Sequence, residues 1–458
     1  MGQPKIKVDL RYILALLVTV QASPAADLHD TKLKIENECD AAEHLTLMLT
    51  KIHSTLDNQE QQLRTARQYL WQTVAAVATE AANGNPKYIP ILAAQTQLLA
   101  AAEKKTANFA KPLRATAAGL AQLIGAQTSL AEITDLKLSA QTPAAAAAFF
   151  TATTKAIPAQ ALNNAKPKCK AKYENKPRDA ATTPRNYAET TTVKFYHLEA
   201  LTADNGALKT PKLCAKAGSA PAADCSDGEI GASAQLAVAG GNLLKTTAVE
   251  YSSKNAEKGQ FKATTNNNAL APPKDFVQAA LEGLHQAPEQ LSNLNFRAES
   301  LRAGSITEEQ AFKKAVALAY IPGADLSKLH ELNDKISAVI KSEYTDDSGS
   351  LTAKIWEPLG RVTLNKAETA TDTTQTLKDD VQIEALGTAV AYRLIAAVQA
   401  KATSSGKKTE EDLSKKADSA DKTGESKKQG DNKTTTNTTG SNSFVINKAP
   451  LLLALLLS

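Results

Sequence analysis

The sequence predicts a mainly α protein: a long antiparallel helical hairpin with coiled-coil spacing, joined to an irregular α/β lobe. Two observations support this fold class. Apolar residues repeat at helical intervals on both sides of one sharp break, and a stretch rich in Ala, Thr, Asn, Pro and Gly separates them from later helical patterns. Aromatic residues make up only 5% of the chain and alanine is abundant, which favours closely packed helices over a bulky aromatic core.

The first predicted helix runs from about Leu28 to Thr79, roughly 75 Å at 1.5 Å per residue. Its apolar positions recur at steps of three, four and seven, which is typical of one coiled-coil face: Leu45, Leu49, Ile52, Leu56, Leu63, Ala66, Leu70, Val74 and Val77. The run Asn83-Gly84-Asn85-Pro86 should end this helix sharply.

A second amphipathic stretch follows the break, and Pro112 should kink it or mark a boundary within it. Its apolar positions are Leu98, Ala102, Phe109, Leu113, Leu120, Leu123 and Leu130. A tight turn between two long helices implies an antiparallel hairpin. Such a hairpin cannot cover its own apolar stripes, so other segments or a second copy of the chain must do so. We expect an elongated rod that forms a dimer.

The pattern divides the chain into a hairpin at 26–140, a lobe of loops and strands at 141–270 and returning helices at 271–400. Strands are predicted in the lobe at Thr190–Leu198 and Gln235–Val238. The first of these could contact a membrane, but an internal sheet strand fits its pattern better. Helices should return at Lys274–Arg302, after a capping box at Ser305-Ile306-Thr307-Glu308, at Ser327–Lys341 and at Val381–Gln399.

Both ends of the sequence predict export. Lys5, Lys7 and Arg11 precede a short apolar run and small residues before Ala25, the order of a secretory signal at 1–25, although a buried N-terminal helix is the alternative. Residues 401–441 are polar and should form a flexible stalk without cysteines. The terminal apolar stretch is too short to span a bilayer. It predicts a GPI signal at 442–458, removed when lipid is added at Ser441; Gly440 or Asn442 could serve instead, and a tail without function is the alternative.

Charge and cysteine usage narrow the class further. The formal net charge of +5 falls to +2 for residues 26–441, because the signal contributes +2 and the tail +1, so the surface offers no electrostatic case for nucleic acid. The four cysteines suit two disulfides in an oxidising compartment and allow three pairings. Their positions favour a small loop at Cys214–Cys225, which leaves Cys39–Cys169. Zinc binding is the alternative, but there is no C-x-x-C and no histidine cluster.

No catalytic motif is present in the sequence. There is no Gly-x-Gly-x-x-Gly, P-loop, Gly-x-Ser-x-Gly or His-Glu-x-x-His, and we predict neither an enzyme nor a cofactor. The six histidines are scattered. His44 and His53 do not share a helix face, and we expect both on solvated surface. Two N-glycosylation sequons, at Asn432 and Asn437, lie in the stalk just before the lipid site.

With these features together, the chain resembles the variant surface glycoproteins of African trypanosomes. The most specific match is the tail at 442–458, beginning Asn442-Ser443-Phe444-Val445-Ile446, which resembles that family's GPI signal except for a final Ser where Phe is usual. The family's A-type N-terminal domain joins an early cysteine of the first helix to one beyond the second helix, which corresponds to Cys39 and Cys169. The resemblance implies a homodimer on the outer leaflet of the plasma membrane, within a dense coat that meets host antibodies.

One departure from the family pattern widens the functional prediction. The usual cysteine-rich C-terminal domains are missing, since no cysteine follows Cys225. Short-stemmed relatives of this family include transferrin-receptor subunits, the serum resistance-associated protein and the gambiense-specific glycoprotein. The sequence therefore predicts a non-enzymatic coat glycoprotein that evades host immunity. The alternative is an accessory protein in resistance to human serum lytic factor, or a ligand-uptake subunit, in the flagellar pocket or endosomes and binding a serum protein.

Overall fold

A computed structural model describes residues 35–81, 84–151, 153–160, 167–173, 192–229, 231, 234–253, 260–265, 270–344, 351–369, 372–378 and 381–414. Several predictions concern segments outside these described residues. They are the signal peptide at 1–25, most of the stalk, the sequons Asn432 and Asn437, the attachment residue Ser441 and the GPI signal at 442–458.

Two long helices form the predicted antiparallel hairpin. Helix α1 is Glu38–Ala81 and helix α2 is Ile89–Ile133, each roughly 66 Å long at 1.5 Å per residue. Gln59 Nε2 donates to Thr106 Oγ1 at 3.2 Å, and Arg67 pairs with Glu103 at 2.8 Å. Later residues of α1 thus meet earlier residues of α2, which confirms the antiparallel arrangement.

Helix α1 begins later than the sequence pattern predicts. Residues 35–37 are not helical, so the predicted start near Leu28 is wrong over this described part. Asn37 Oδ1 accepts a hydrogen bond from the Asp40 backbone N–H at 3.1 Å, and Asp40 Oδ2 accepts one from the Glu36 N–H at 3.0 Å. This reciprocal capping fixes the first turn at Glu38, and apolar periodicity carries no information about it.

Two predictions for the hairpin, a sharp turn after the first helix and a kink or boundary at Pro112, have different outcomes. Helix α1 ends at Ala81 and Gly84 has a φ of +72°, a left-handed conformation that favours glycine, so the predicted turn is confirmed. Helix α2 continues through Pro112 without interruption, so a boundary at this residue is wrong. The proline removes one backbone hydrogen bond donor from the helix interior, and the buried Ala110 and Leu113 pack on either side of it.

The lobe consists of short strands in three antiparallel sheets and two short helices. The sheets have the orders β3-β1-β7, β2-β6-β5 and β4-β8-β9. The elements are β1 Lys137–Leu138, β2 Gln141–Ala145, α3 Ala146–Phe149, β3 Ala159–Gln160, α4 Lys168–Tyr173, β4 Thr192–Ala200, β5 Lys212–Ala217, β6 Ala234–Ala239, β7 Gly241–Asn242, β8 Leu244–Ser252 and β9 Lys262–Ala263.

Both predicted strands of the lobe exist. β4 covers the described part of the first prediction, and β6 covers the second with one extra residue at each end. β4 pairs with β8 from Thr192↔Ser252 to Ala200↔Leu244, and Val193 and Phe195 are fully buried. β4 is therefore a buried strand of the lobe, at the edge of the β4-β8-β9 sheet rather than inside it, and the alternative of membrane contact is not supported.

The returning region has several short helices where longer ones were predicted, and one final helix that is longer than predicted. They are α5 Lys274–Ala280, α6 Ala287–Asn293, α7 Gln310–Tyr320, α8 Asn333–Val339, α9 Glu357–Gly360, α10 Lys366–Thr369 and α11 Ile383–Ser414, with a two-stranded sheet of β10 Thr363–Leu364 and β11 Gln375–Thr376. Short segments of 3₁₀-helix (Leu284–Gln286, Ala298–Leu301, Gly304–Glu308, Leu326–Leu332) and π-helix (Ile340–Tyr344, Thr352–Trp356) connect them. The predicted helix over Lys274–Arg302 is broken at Gly283, whose φ is +82°.

The predicted capping box at residues 305–308 is wrong. These residues lie inside the 3₁₀ turn Gly304–Glu308, and α7 starts at Gln310 with no capping bond from its N-cap side chain, Glu309. Gln97 Oε1 of helix α2 accepts a hydrogen bond from the Ala311 backbone N–H at 3.2 Å instead. The end of α7 is thus capped by a residue far away in sequence.

Helix α11 continues beyond the predicted start of the stalk to Ser414. The first part of the predicted flexible stalk is therefore helical, as expected for a stretch with several Lys, Glu and Ala residues. The chain divides into two compact units after Ala397. The predicted boundaries of the functional domains stay predictions.

Two apolar clusters form the core of the first unit. The larger joins the hairpin end that is remote from the 82–88 turn to β4, β8 and the 270–294 region. The smaller lies midway along the hairpin, where Leu63 and Ala66 of α1 meet Leu99 and Ala102 of α2, with Ala298 and Leu301 on top. Other segments of the same chain therefore cover both stripes of the hairpin.

Candidate functional site

The lobe joins the hairpin at a junction that we call the lobe junction, formed by the first turns of α1, the last turns of α2, and β4, β8 and α4. Leu45, Met48 and Ile52 of α1 are fully buried there, as is Phe195 of β4. Burying four side chains of this size contributes roughly 1.5–3 kcal/mol each. The lobe is therefore held to one defined end of the hairpin.

A disulfide and ion pairs attach α4 to this end of the hairpin. Cys39 of α1 is bonded to Cys169 of α4, and the second disulfide joins Cys214 to Cys225, the pairing that the sequence favours. Lys172 Nζ lies 2.5 Å from Asp40 Oδ1, whose side chain is 5% exposed, and Lys168 pairs with Asp135. The cross-link and the largely buried carboxylate fix the segment around residue 169 against both long helices.

Helix α2 also binds the outer edge of strand β4. The fully buried Gln127 side chain donates to the Tyr196 carbonyl at 2.8 Å and accepts from the Tyr196 N–H at 3.1 Å. Two residues further on, Leu198 exchanges both backbone hydrogen bonds with Ala271. Because an edge strand has unpaired backbone groups, these contacts satisfy an edge that would otherwise be open.

His197 is the buried polar centre of the lobe junction. Its Nδ1 lies 2.7 Å from the Pro272 carbonyl oxygen, and its Nε2 lies 2.7 Å from the Tyr251 hydroxyl. The ring is fully buried and packs edge-on against Phe195 at 5.0 Å between centroids. Burial lowers the pKa of His197, and Lys274 lowers it further against the effect of the Pro272 hydrogen bond.

His44 does not lie on solvated surface, so that prediction is wrong. It lies on the buried face of α1 with 6% of its surface exposed, and burial lowers its pKa to about 4. His53 is exposed, as expected. Nine residues separate the two histidines, two and a half helical turns, so they lie on opposite faces of α1 and only the face of His44 is buried.

The hairpin end beside the 82–88 turn has a different polar centre, which we call the turn-end network. Arg393 of α11 donates to Glu368 Oε2 at 2.7 Å, to the Thr363 carbonyl at 2.5 Å and to Thr79 Oγ1 near the end of α1. The Arg393 and Glu368 side chains are 12% and 10% exposed. Arg393 and Glu368 thus fasten the start of α11 to the turn end of the hairpin, opposite the lobe junction.

The described residues contain little that resembles a reactive or ligand-binding site. No group of three or more His, Cys, Asp or Glu side chains within them could hold a metal ion. None of their helices is long and apolar enough to cross a membrane. An open groove of about 340 Å³ beside the Cys39–Cys169 disulfide is lined mainly by Ala42, Thr46, Ile124 and Thr128, with Glu43 and Lys170 at its rim.

Comparisons with known proteins identify the relatives of this chain. A family model described as variant surface glycoprotein ETAT matches residues 401–458. Variant surface glycoprotein ILTAT 1.1BC of Trypanosoma brucei brucei is 31% identical over 188 residues, covering 33% of this chain and 40% of that relative. The chain thus spans well under half the length of this curated relative.

Solved structures give the same family name. Variant surface glycoprotein VSGsur, in a structure with bound suramin, has a TM-score of 0.53 at 16% identity, covering 80% of this chain and 99% of that chain. The crystal structure of VSG13 has a TM-score of 0.47 at 16% identity, covering 79% and 98%. The VSGsur likeness supports the mainly α fold. The C-terminal match and the partial relative are both to trypanosome variant surface glycoproteins.

Proposed function

We propose that this member of the variant surface glycoprotein superfamily is a non-enzymatic glycoprotein of the trypanosome surface coat, anchored by GPI lipid at Ser441 and evading host immunity. The observation that carries the proposal is the opposite placement of two features on the hairpin. The lobe packs on the end that holds Cys39 and the last turn of α2. The start of α11, which leads toward the predicted lipid site, is bound at the turn end through Arg393 and Thr79.

This arrangement suits display of the lobe away from the membrane. A chain that enters the anchor from the turn end would hold the lobe at roughly 66 Å, the length of the hairpin, from the membrane side. The lobe surface around β5 has exposed turns at 202–207 and 223–229, and the Cys214–Cys225 disulfide fixes the second of these. Host antibodies would meet such turns first.

A homodimer is part of the proposal. Tyr392 and Ile395 lie one turn apart on α11 with 50% and 57% of their surfaces exposed, and Leu318 of α7 is 63% exposed. Exposed apolar side chains that share a helix face are typical of surfaces that bind another protein. We expect Tyr392→Glu with Ile395→Glu to halve the mass measured by light scattering, and Leu318→Glu to serve as the control at an isolated position.

The anchor is tested directly on cells that express the full chain. Phosphatidylinositol-specific phospholipase C should release the protein, and the released C-terminal peptide should end at Ser441 with the lipid remnant attached. A peptide extending beyond residue 442, or no release, would contradict the anchor. Counting copies tests the coat: uniform display at millions per cell supports it, whereas a few thousand confined to the flagellar pocket would favour an accessory role.

A further inference from the structure

A single buried histidine joins two parts of the lobe junction that are distant in sequence. His197 lies on β4, while Pro272 directly precedes α5, the first of the returning helices. We propose that protonation of His197 makes the lobe junction acid-sensitive: the buried charge favours opening of residues 270–277 away from β4, which would hydrate the ring, while the middle of the hairpin stays folded. This inference does not depend on the anchor or the coat.

The hydrogen bonds define which nitrogen of the neutral ring carries the proton. The Pro272 carbonyl oxygen can only accept, so Nδ1, 2.7 Å away, must donate to it. Nε2 then has a free lone pair and accepts from the Tyr251 hydroxyl at 2.7 Å. Both ring nitrogens are satisfied in the neutral form, and the ring is fully enclosed. The site is therefore built for neutral histidine.

Protonation adds an N–H at Nε2. In the neutral form this nitrogen accepts a hydrogen bond from the Tyr251 hydroxyl, which it can no longer do. The hydroxyl must turn and lose its acceptor, the bond from Nδ1 to Pro272 is kept, and the new positive charge lies on a fully buried ring. The charged groups on the packed elements do not compensate for it. Lys274 of α5 repels the ring. Glu199 is bound to Lys245 at 3.3 Å and to Thr247 at 2.7 Å.

Other charged groups near β4 shift the pKa of the two tyrosines and not that of His197. Burial and Asp275 of α5 raise the pKa of Tyr251. Burial and the carboxylates Glu38, Asp40 and Glu36 raise the pKa of Tyr196, whose side chain lies on the opposite face of the strand from His197. Helix α2 contributes the uncharged Gln127 to this strand. None of these carboxylates is among the causes that shift the pKa of His197, where Lys274 is the acting charge.

The direction of the pH effect follows from linkage. Burial and Lys274 lower the pKa of His197 below 6.5 in the folded protein, so the opened form binds the proton more readily. The free energy that keeps the lobe junction closed is therefore at its maximum above about pH 6.5, and it decreases as the pH falls below that value. Opening increases tenfold per pH unit below 6.5 until the folded ring itself titrates, which gives at most about a 30-fold increase at pH 5.

Hydrogen–deuterium exchange of the full chain tests this directly. Protection factors, corrected for the intrinsic effect of pH, are compared at pH 7 and pH 5. We expect peptides within 192–200 and 270–277 to lose protection at pH 5 by more than twofold and by at most about 30-fold, while peptides within 60–70 and 96–106 change less than twofold. Peptides within 38–52 are analysed separately, because the buried His44 can add its own response.

Three variants decide whether His197 is responsible. His197→Gln keeps an acceptor for Tyr251 but cannot titrate, and should abolish the pH difference in both peptides. His53→Gln, the matched control at an exposed histidine, should keep it in full. Lys274→Gln removes a charge that lowers the pKa of the folded ring, so the difference should stay equal or become smaller. Unchanged protection in the wild type at pH 5, or an equal difference in His197→Gln, would overturn the proposal. If His197→Gln does not fold, a larger difference in Lys274→Gln would overturn it.

Discussion

The two apolar clusters of the first unit are built on the same pair of helices but in different ways. Midway along the hairpin, α1 and α2 contribute Leu63, Ala66, Leu99 and Ala102, and one short 3₁₀ turn covers them. At the lobe junction, larger side chains of the same helices meet strands and helices from 193 to 294. Local periodicity defines the first cluster, whereas the second exists only after distant segments assemble. We therefore expect stability at the lobe junction to depend on cross-links and close contacts.

The largest expected effect comes from the disulfide that closes the longer loop. Replacing Cys39 and Cys169 together by Ser removes a cross-link across 130 residues, which loop entropy predicts to destabilise the protein by about 5 kcal/mol. The same change at Cys214 and Cys225, across 11 residues, should give about 3 kcal/mol. Denaturant unfolding under oxidising conditions measures both. Equal losses would show that loop length does not govern the junction.

The turn-end network should respond to loss of one charged partner. Arg393→Met leaves the Glu368 carboxylate largely buried and unpaired, and we expect a loss of about 3 kcal/mol in the free energy of unfolding. Arg361→Met removes an exposed partner of Glu357, and should change stability by less than about 1 kcal/mol. If the two variants unfold alike, the turn end is not held by this ion pair.

The same network predicts a pH effect at the turn end. The Arg393 hydrogen bond and the Asn365 backbone N–H lower the pKa of Glu368, although burial by itself raises it. The folded carboxyl thus binds a proton less readily than the unfolded one. Its contribution is complete above the ordinary glutamate pKa near 4.5 and is lost as the pH falls through the lower folded pKa. Wild type should therefore lose more stability between pH 5 and pH 3 than Glu368→Gln does.

A smaller effect is expected where α2 meets α5. A Cβ on Gly119 would lie 2.1 Å from the Ala280 carbonyl oxygen, so Gly119→Ala must displace α5 and should destabilise by about 2 kcal/mol. Gly125 lies on the same helix with open space around it, and Gly125→Ala should stabilise by about 0.5–1 kcal/mol through helix propensity. Chemical denaturation of this matched pair tests the packing, and the same sign for both would contradict it.

The smallest expected loss of stability is at Arg302, which stacks on Tyr69 beside the smaller apolar cluster. The Arg302 guanidinium lies 3.7 Å from the centroid of the Tyr69 ring and donates to Gln72 at 2.5 Å. Lysine lacks the planar group that stacks and donates together, so Arg302→Lys should lose about 1 kcal/mol. Arg297→Lys, at an exposed position five residues earlier, should leave the thermal midpoint unchanged. A shift of equal size in both variants would exclude a specific role for the stacked ring.

The sequence predicts the hairpin well because its information is local. Leu45, Ile52, Leu63, Ala66 and Val74 recur on one helix face and all are buried. The glycine turn at residue 84 and strands β4 and β6 are likewise predicted by local pattern. The Ser305 capping box matches its motif but is wrong, because the acceptor that caps α7 is Gln97, more than 200 residues earlier.

The buried polar residues could not be predicted for the same reason. His44 is a polar residue beside an apolar stripe, and tertiary packing leaves only 6% of it exposed. His197 shares one face of its strand with Phe195 and Glu199. A polar residue beside the apolar Phe195 on that face is the one signal in the sequence that could have identified it. Its partners Tyr251 and Pro272 are 54 and 75 residues away in sequence, so no local pattern identifies them.

The central claim, that the lobe lies away from the membrane and the turn end toward it, can be tested with two matched insertions. Gly84 in the turn and Gly218 in the lobe both have positive φ and open surroundings, so each should accept a short epitope without strain. On intact cells at full expression, an antibody fragment should bind the Gly218 insertion strongly and the Gly84 insertion only after lipase release. Equal binding at both sites, or stronger binding at Gly84, would contradict the account.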